Sequence, residues 1–502
     1  MSEPFADLTD LACEAVGGVA LACNDEFFAE KDNLLRAHAA VWKDHEYTER
    51  GKWMDGWETR RRRPPPDAVA IDDHDWCIVR LGLPGVIRGI VVDTAFFRGN
   101  FPESCSIYAT CSDQPLDLAA LGTATWTELV PRATLLGDHK NSFEIDDRHR
   151  YTHVRLEIYP DGGVARLRIH GEVVPNWTRL RALGGPIDLA ALEHGAVVES
   201  CSDMFFGSRN NLIKPGPSRS MADGWETRRR RGPGNDWAIV RLATAGTIER
   251  VEIDTTHFKG NAPGRVTLDG THAPGVPAGA LAGWRTLLAT PSQPHTRHVF
   301  DGELRRIGPI THLRVSVFPC GGIARLRAWG QMAAESVAAL NAMSLDVASA
   351  ALRTCCGSSR WAEAMAAQRP FEDLPALLRI AERTWWSLDE ADVREAFAAH
   401  PKIGDRAPPD IEITAKWARD EQKGAAAASE HTAAELARCN RDYEAKHGFL
   451  FIVCATGRTG DAMLEDLRAR LDRDTAVELR TAAEEQAKIT RLRLHKLIGE
   501  LG

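Results

Sequence analysis

The nonapeptide DGWETRRRR occupies Asp55–Arg63 and recurs at Asp223–Arg231, 168 positions later. Working outward from the two copies, the likeness keeps extending. CNDEFFAEKDNLL (23–35) parallels CSDMFFGSRNNLI (201–213), and DWCIVRLGLPGVIRGIVVDTAFFRGN (75–100) parallels DWAIVRLATAGTIERVEIDTTHFKGN (236–261). THVRLEIYPDGGVARLRIHGE (152–172) parallels THLRVSVFPCGGIARLRAWGQ (311–331). A period of this length is far beyond that of a solenoid unit, so a whole domain is duplicated in tandem.

Each copy reads as β-structure. Val154, Leu156 and Ile158 alternate with Arg155 and Glu157, and Leu313, Val315 and Val317 alternate with Arg314 and Ser316. This period of two marks half-buried strands. Gly and Pro punctuate short runs, as in PDGG and PCGG. Many short strands between turn signals predict a sandwich or jelly roll. Near residue 334 the chain becomes rich in Ala, Leu, Glu and Arg with helical periodicity. Capping boxes are expected at Ser387/Glu390 and Thr432/Glu435, with Gly448 as a helix stop. The expected architecture is two tandem all-β jelly-roll domains, 1–174 and 175–333. An all-α helical domain, 334–502, follows.

The chain has 502 residues and a net charge of −8, which argues against nucleic-acid binding through a broad basic face. No apolar run approaches the roughly 20 residues of a membrane span. The N-terminus starts acidic, unlike a secretory signal. Eleven cysteines without a CxxC pair fit a reduced, cytoplasmic setting better than a disulfide scaffold or a zinc site. No metal or other cofactor is inferred, and a homo-oligomer is the expected assembly.

In DGWETRRRR, Asp-Gly signals a turn, and the residues after it are expected to continue as a strand. Arg60 and Arg62 would then face one way, and Arg61 and Arg63 the other. Two readings stay open. In one, the segment is a turn with a Trp anchor and arginines in salt bridges. In the other, Glu58 and Glu226 move protons while Arg60 and Arg228 clamp a carboxylate. Asn100/Asn261, Lys259 (opposite Arg98), Asp93/Asp254, His153/His312 and Arg166/Arg325 are the other paired polar positions. His257, a further candidate for moving protons, has no counterpart because Phe96 stands in its place, so one copy alone could be catalytic.

DGWETRRRR, DWxIVRL and HFKGN together resemble the allantoicase family over roughly residues 15–333. That resemblance implies two jelly rolls of galactose-binding-like topology and hydrolysis of allantoate to ureidoglycolate and urea. The helical region has its own signature. HPKIGD (400–405) puts His400 at a helix end just before Pro401, where the helix dipole favours the charged imidazole. WARDEQKG (417–424) carries Glu421 and Gln422; FLFIVCATGRT (449–459) contains the apolar run Phe451, Ile452, Val453, Cys454 and Ala455. In EEQAKITRLRLHKL (484–497), Arg493 lies on the stripe of Ile489 and Leu497, whereas Arg491 neighbours Ala487 and His495.

These motifs resemble 2-oxo-4-hydroxy-4-carboxy-5-ureidoimidazoline (OHCU) decarboxylase over about residues 335–500. The resemblance implies His400 as catalytic acid, with Glu421 and Arg493 at the reacting centre. It implies substrate contacts from Pro401, Gln422 and the run Phe451 to Ala455. Ala418 stands where that family often has Ser. The expected function is a bifunctional enzyme of purine degradation acting on allantoate and OHCU. The alternative is a ureide- or carbohydrate-binding jelly-roll protein with a degenerate helical domain.

Overall fold

A computed structural model describes residues 5–63, 73–333, 337–400, 430–456 and 458–501. Each repeat is organised by one 19-residue strand, Asp75–Asp93 or Asp236–Asp254. The first half of Asp75–Asp93 pairs with Arg150–Tyr159 and Val19–Cys23, and its second half pairs with Arg166–Val173 and Lys140–Glu144. The change of partner falls at GLPG (82–85), where glycine and proline weaken regular pairing and let the strand pass between layers. The sheet continues through Arg150–Tyr159 to Ser104–Thr110 and Thr127–Thr134, all antiparallel. The second repeat has the same order, from Ile187–Asp188 to Arg285–Pro291.

The expected alternation is present. Val154, Leu156, Ile158, Leu313, Val315 and Val317 are all fully buried. The opposite face is more covered than a solvated face would be. Glu157 is buried and takes hydrogen bonds from Ser106 and the Tyr159 hydroxyl. One apolar core runs through both repeats, and a second fills the helical region.

In that region the described helices include Leu345–Cys356, Ser359–Ala367, Leu374–Trp386, Glu390–Ala398, Glu430–His447, Gly460–Leu471 and Thr475–Leu501. Two caps differ from expectation. Asp389, not Ser387, caps Glu390–Ala398 by accepting from Asp392 N, because Ser387 already closes the preceding helix. Glu430–His447 is helical before Thr432, whose hydroxyl donates to Asp461. Gly448, at φ +75°, does end this helix.

The repeated nonapeptide forms only a two-residue strand, Trp57–Glu58 or Trp225–Glu226, against Gly163–Val164 or Gly322–Ile323. The expected longer strand with alternating arginines is therefore absent. The chain is captured instead by side chains. Arg62 pairs with Asp75 at 2.6 Å and Arg60 with Asp25 at 2.6 Å. The aspartate of Asp-Gly is buried: Asp55 accepts from Arg166 at 2.8 Å. Arg166, 1% exposed, also donates to the carbonyls of His38, Asp55 and Ala165. Arg325 does the same for Asp223 at 2.9 Å. The second glycine of PDGG and PCGG is required by close approach, since a Cβ on Gly163 or Gly322 would meet Phe97 or Phe258 at 2.0 Å.

Replacing Arg166 with Met would leave a buried carboxylate and three carbonyls short of a donor. Stability should fall by about 3–5 kcal/mol, read as a lower urea midpoint.

Candidate functional site

Trp57 and Trp225 are wholly buried, and each indole donates to a backbone carbonyl, Asp25 O at 2.8 Å and Asp203 O at 2.9 Å. This anchors the adjacent glutamates. Glu58 accepts from the Asn100 amide at 2.7 Å, and Glu226 from the Asn261 amide at 2.5 Å. Asn100 and Asn261 are held in turn by their own carbonyls, which accept from Gly163 N and Gly322 N. Sequence positions 42 and 35 residues apart thus meet as the same carboxylate–amide pair in both copies. Burial pushes the Glu58 carboxyl above its usual range, and the Asn100 hydrogen bond only partly opposes this. A half-buried carboxylate held that way is suited to take a proton.

The other expected positions divide. Arg60 and Arg228 are exposed but bound to Asp25 and Asp203, and each stacks near a phenylalanine, Phe27 or Phe205. Lys259 is exposed. His257 and Phe96 occupy the same left-handed turn position, at φ +74° and +69°. The His257 ring donates from Nε2 to Ser218 O at 3.0 Å, so it closes its own loop. His153 and His312 are buried beside Thr152 and Thr311 within the sheets. Arg166 and Arg325, grouped with the site candidates in the sequence, are structural clamps.

In the helical region, His400 lies two residues past Glu390–Ala398 and donates from Nε2 to Gln486 Oε1 at 2.6 Å. Gln486 is fully buried, and its NH₂ reaches Cys356 O at 3.3 Å and Thr490 Oγ1 at 3.2 Å. With both amide hydrogens directed elsewhere, its oxygen must face His400, which places the imidazole proton on Nε2. Gln486, Thr490 and Arg493 follow at i, i+4 and i+7 and form a buried polar stripe on Thr475–Leu501. Arg493 is 3% exposed. Burial pushes the neighbouring Cys356 thiol up to about 12, although Arg493 acts the other way.

Phe451, Ile452, Val453, Cys454 and Ala455 are all buried. Expected backbone donors in this run are partly committed, because Cys454 N donates to Glu485 at 2.8 Å. Burial opposes ionisation of Glu485, but Lys488, the Cys454 N–H and Arg458 more than offset it and hold its carboxyl below the usual range. Arg470 donates to Ile452 O at 3.1 Å and pairs with the buried Glu478 at 2.5 Å. Gln486 and Glu485 were not singled out in the sequence; their adjacency in a long amphipathic helix was the available signal. Pro401, Ala418, Glu421 and Gln422 lie outside the described residues.

A duplicated β-sandwich with a carboxylate–amide pair in each copy, joined to a helical domain with a buried His–Gln–Arg stripe, defines a two-part metabolic enzyme architecture. The allantoicase repeat model matches residues 9–174 and 187–333, and the OHCU decarboxylase model matches residues 341–495. The chain belongs to the allantoicase family and carries a C-terminal OHCU decarboxylase domain. Allantoicase of Dictyostelium discoideum is 45% identical over 328 residues, 64% of this chain and 86% of that protein. The crystal structure of Saccharomyces cerevisiae allantoicase is 33% identical with a TM-score of 0.54, covering 64% of this chain and 93% of that one. An OHCU decarboxylase structure solved with (S)-allantoin is 37% identical, covering 29% of this chain and 96% of that one, with a TM-score of 0.26.

A raised carboxyl pKa binds its proton more tightly in the folded state, so Glu58 lowers stability as pH rises above the ordinary glutamate range. Glu58→Gln should therefore gain stability relative to the parent chain across that window. Unfolding midpoints measured from acid to neutral pH check this; a constant gap contradicts it.

Proposed function

We propose that the chain is a bifunctional enzyme of purine degradation, hydrolysing allantoate to ureidoglycolate and urea and decarboxylating OHCU to (S)-allantoin. The carrying observation is that a half-buried carboxylate with its own amide partner recurs in both repeats beside a separate helical site. The family memberships support enzymatic activity over a binding module with a degenerate helical domain.

For allantoate, Glu58 or Glu226 takes a proton from water as its oxygen bonds to the carbon bearing both ureido groups. One C–N bond breaks, and the protonated carboxyl returns its proton to the departing nitrogen, which leaves as urea. Asn100 and Asn261 fix the carboxylates, while Arg60, Arg228 and Lys259 supply exposed positive charge for the substrate carboxylate. For OHCU, the C–C bond to the carboxylate breaks and its electron pair passes to the ring. His400 delivers the proton that replaces CO₂, and Arg493 orients the anionic substrate. By their place in the OHCU decarboxylase motifs, Glu421 is assigned to act on the leaving carboxylate, and Pro401, Gln422 and the run Phe451 to Ala455 to contact the substrate.

No helix among the described residues is long and apolar enough to cross a membrane. The substrates are small molecules, and we place the enzyme in the cytoplasm as a homo-oligomer, in keeping with eleven free cysteines.

The double variant Glu58→Gln/Glu226→Gln should release urea from allantoate at least about 10²-fold more slowly. Wild-type urea release would sink the assignment. His400→Asn should slow OHCU decay to allantoin by a similar factor while leaving urea release intact. Near-normal decay removes His400 from the role of proton donor.

A further inference from the structure

A cavity that no candidate catalytic residue lines lies at the meeting of all three domains. This cavity, of about 740 Å³, is bounded by Val86 and Glu172–Trp177 of the first repeat, by Val197–Glu199 and Arg241–Ala245 of the second, and by Leu374–Glu382 and the face of Thr475–Leu501 bearing Arg491 and His495. The volume suits a small metabolite. It contains neither Glu58, Glu226, His400 nor Arg493.

Its charges are unevenly satisfied. Glu172 and Glu382 are both held by Arg88, at 2.8 and 3.0 Å, and Glu199 by Arg241 at 3.0 Å. Arg379 and Arg491 also line the cavity, yet neither has a carboxylate within ion-pair distance or a hydrogen bond among the described residues. Arg491 is exposed and feels Glu172 and Glu382 at longer range, and half-buried Arg379 feels Asp373 and Glu372. His312, 1% exposed, also lines the space, and its Nε2 has no hydrogen bond, standing 3.6 Å from Glu199. His495 reports the local potential: burial, then Arg491, His272 and Arg241, push its pKa down to about 4. Two guanidinium groups without a direct ion pair and a buried imidazole nitrogen without a hydrogen bond thus line one cavity of ligand size, a set suited to an anion with hydrogen-bonding oxygens. Apolar walls from Val86, Val173 and Leu378 favour an organic body over a bare inorganic ion.

We propose that this interdomain cavity is a binding site for a small organic carboxylate, clamped by Arg379 and Arg491 and distinct from both candidate catalytic sites. Because its walls come from three domains, the bound carboxylate stabilises the docked arrangement. It does not depend on either catalytic assignment.

The test is calorimetric titration of the full chain with succinate, with succinamide and inorganic phosphate in parallel. One equivalent of succinate should bind, succinamide should not, and phosphate should bind more weakly. Arg379→Gln and Arg491→Gln should each weaken succinate about tenfold or more, and should abolish its effect on the melting temperature, with urea release unchanged. Should either glutamine variant fail to fold, Arg491→Lys, which keeps the charge but loses the fork, must still weaken succinate. No succinate binding, equal affinity in the folded variants, or tighter phosphate than succinate overturns the proposal.

Discussion

Each β-domain hangs on one buried guanidinium. Arg166, and its twin Arg325, ties the last long strand of its sheet to the turn that delivers the Trp–Glu dipeptide. The cation is expensive to bury, and it is tolerated because carboxylate and carbonyl oxygens surround it. Burial opposes ionisation of Asp55, but Arg166 more than offsets it and keeps the carboxyl below its usual range. With that clamp in place the indole of Trp57 drops into the core. Gly163 closes over Phe97, and Glu58 meets Asn100. The reactive geometry is thus a by-product of a structural ion pair placed two to three residues away.

The helical domain uses the same device with different residues. Arg470 and Glu478 pair in the interior, Glu478 also accepts from the Tyr443 hydroxyl, and Arg470 holds the extended run at Ile452 O against the terminal helix. That run then meets the terminal helix at Glu485, which accepts from Cys454 N and precedes Gln486 of the polar stripe. The domain is joined to the sandwich by Arg88 with Glu382 and by Arg148 stacked over Trp386 at 5.0 Å. These contacts enclose the Arg379–Arg491 cavity and leave His400 and Glu58 in separate surroundings. Nothing in this layout calls for transfer of a product between the two sites, and the two proposed reactions are not consecutive.

Much of the fold was legible from pattern. Period-two alternation at Val154–Ile158 and Leu313–Val317 located core strands, because burial on one face imposes it. The change of composition near 334 located the helical region. Pattern was less informative where side chains override local preference. Asp-Gly looked like a turn opening a strand, yet Asp55 is an ion-pair partner and the strand lasts two residues. Ser387 and Glu390 have capping-box spacing, but the preceding helix consumes Ser387. His257 looked distinctive for lacking a counterpart, whereas position 257 shares with position 96 a left-handed turn that its imidazole helps to close.

The sequence by itself determined the duplication, the sandwich-plus-helices architecture and the pairing of equivalent residues, since these follow from repetition and periodicity along the chain. Only the tertiary structure decided that Glu58 meets Asn100, that Gln486 orients His400, and that Arg166 is a clamp while Arg379 and Arg491 line a cavity without a direct ion pair. Such partnerships join residues tens to hundreds of positions apart. Burial, which sets the energy of every charge among them, exists only once the chain has folded.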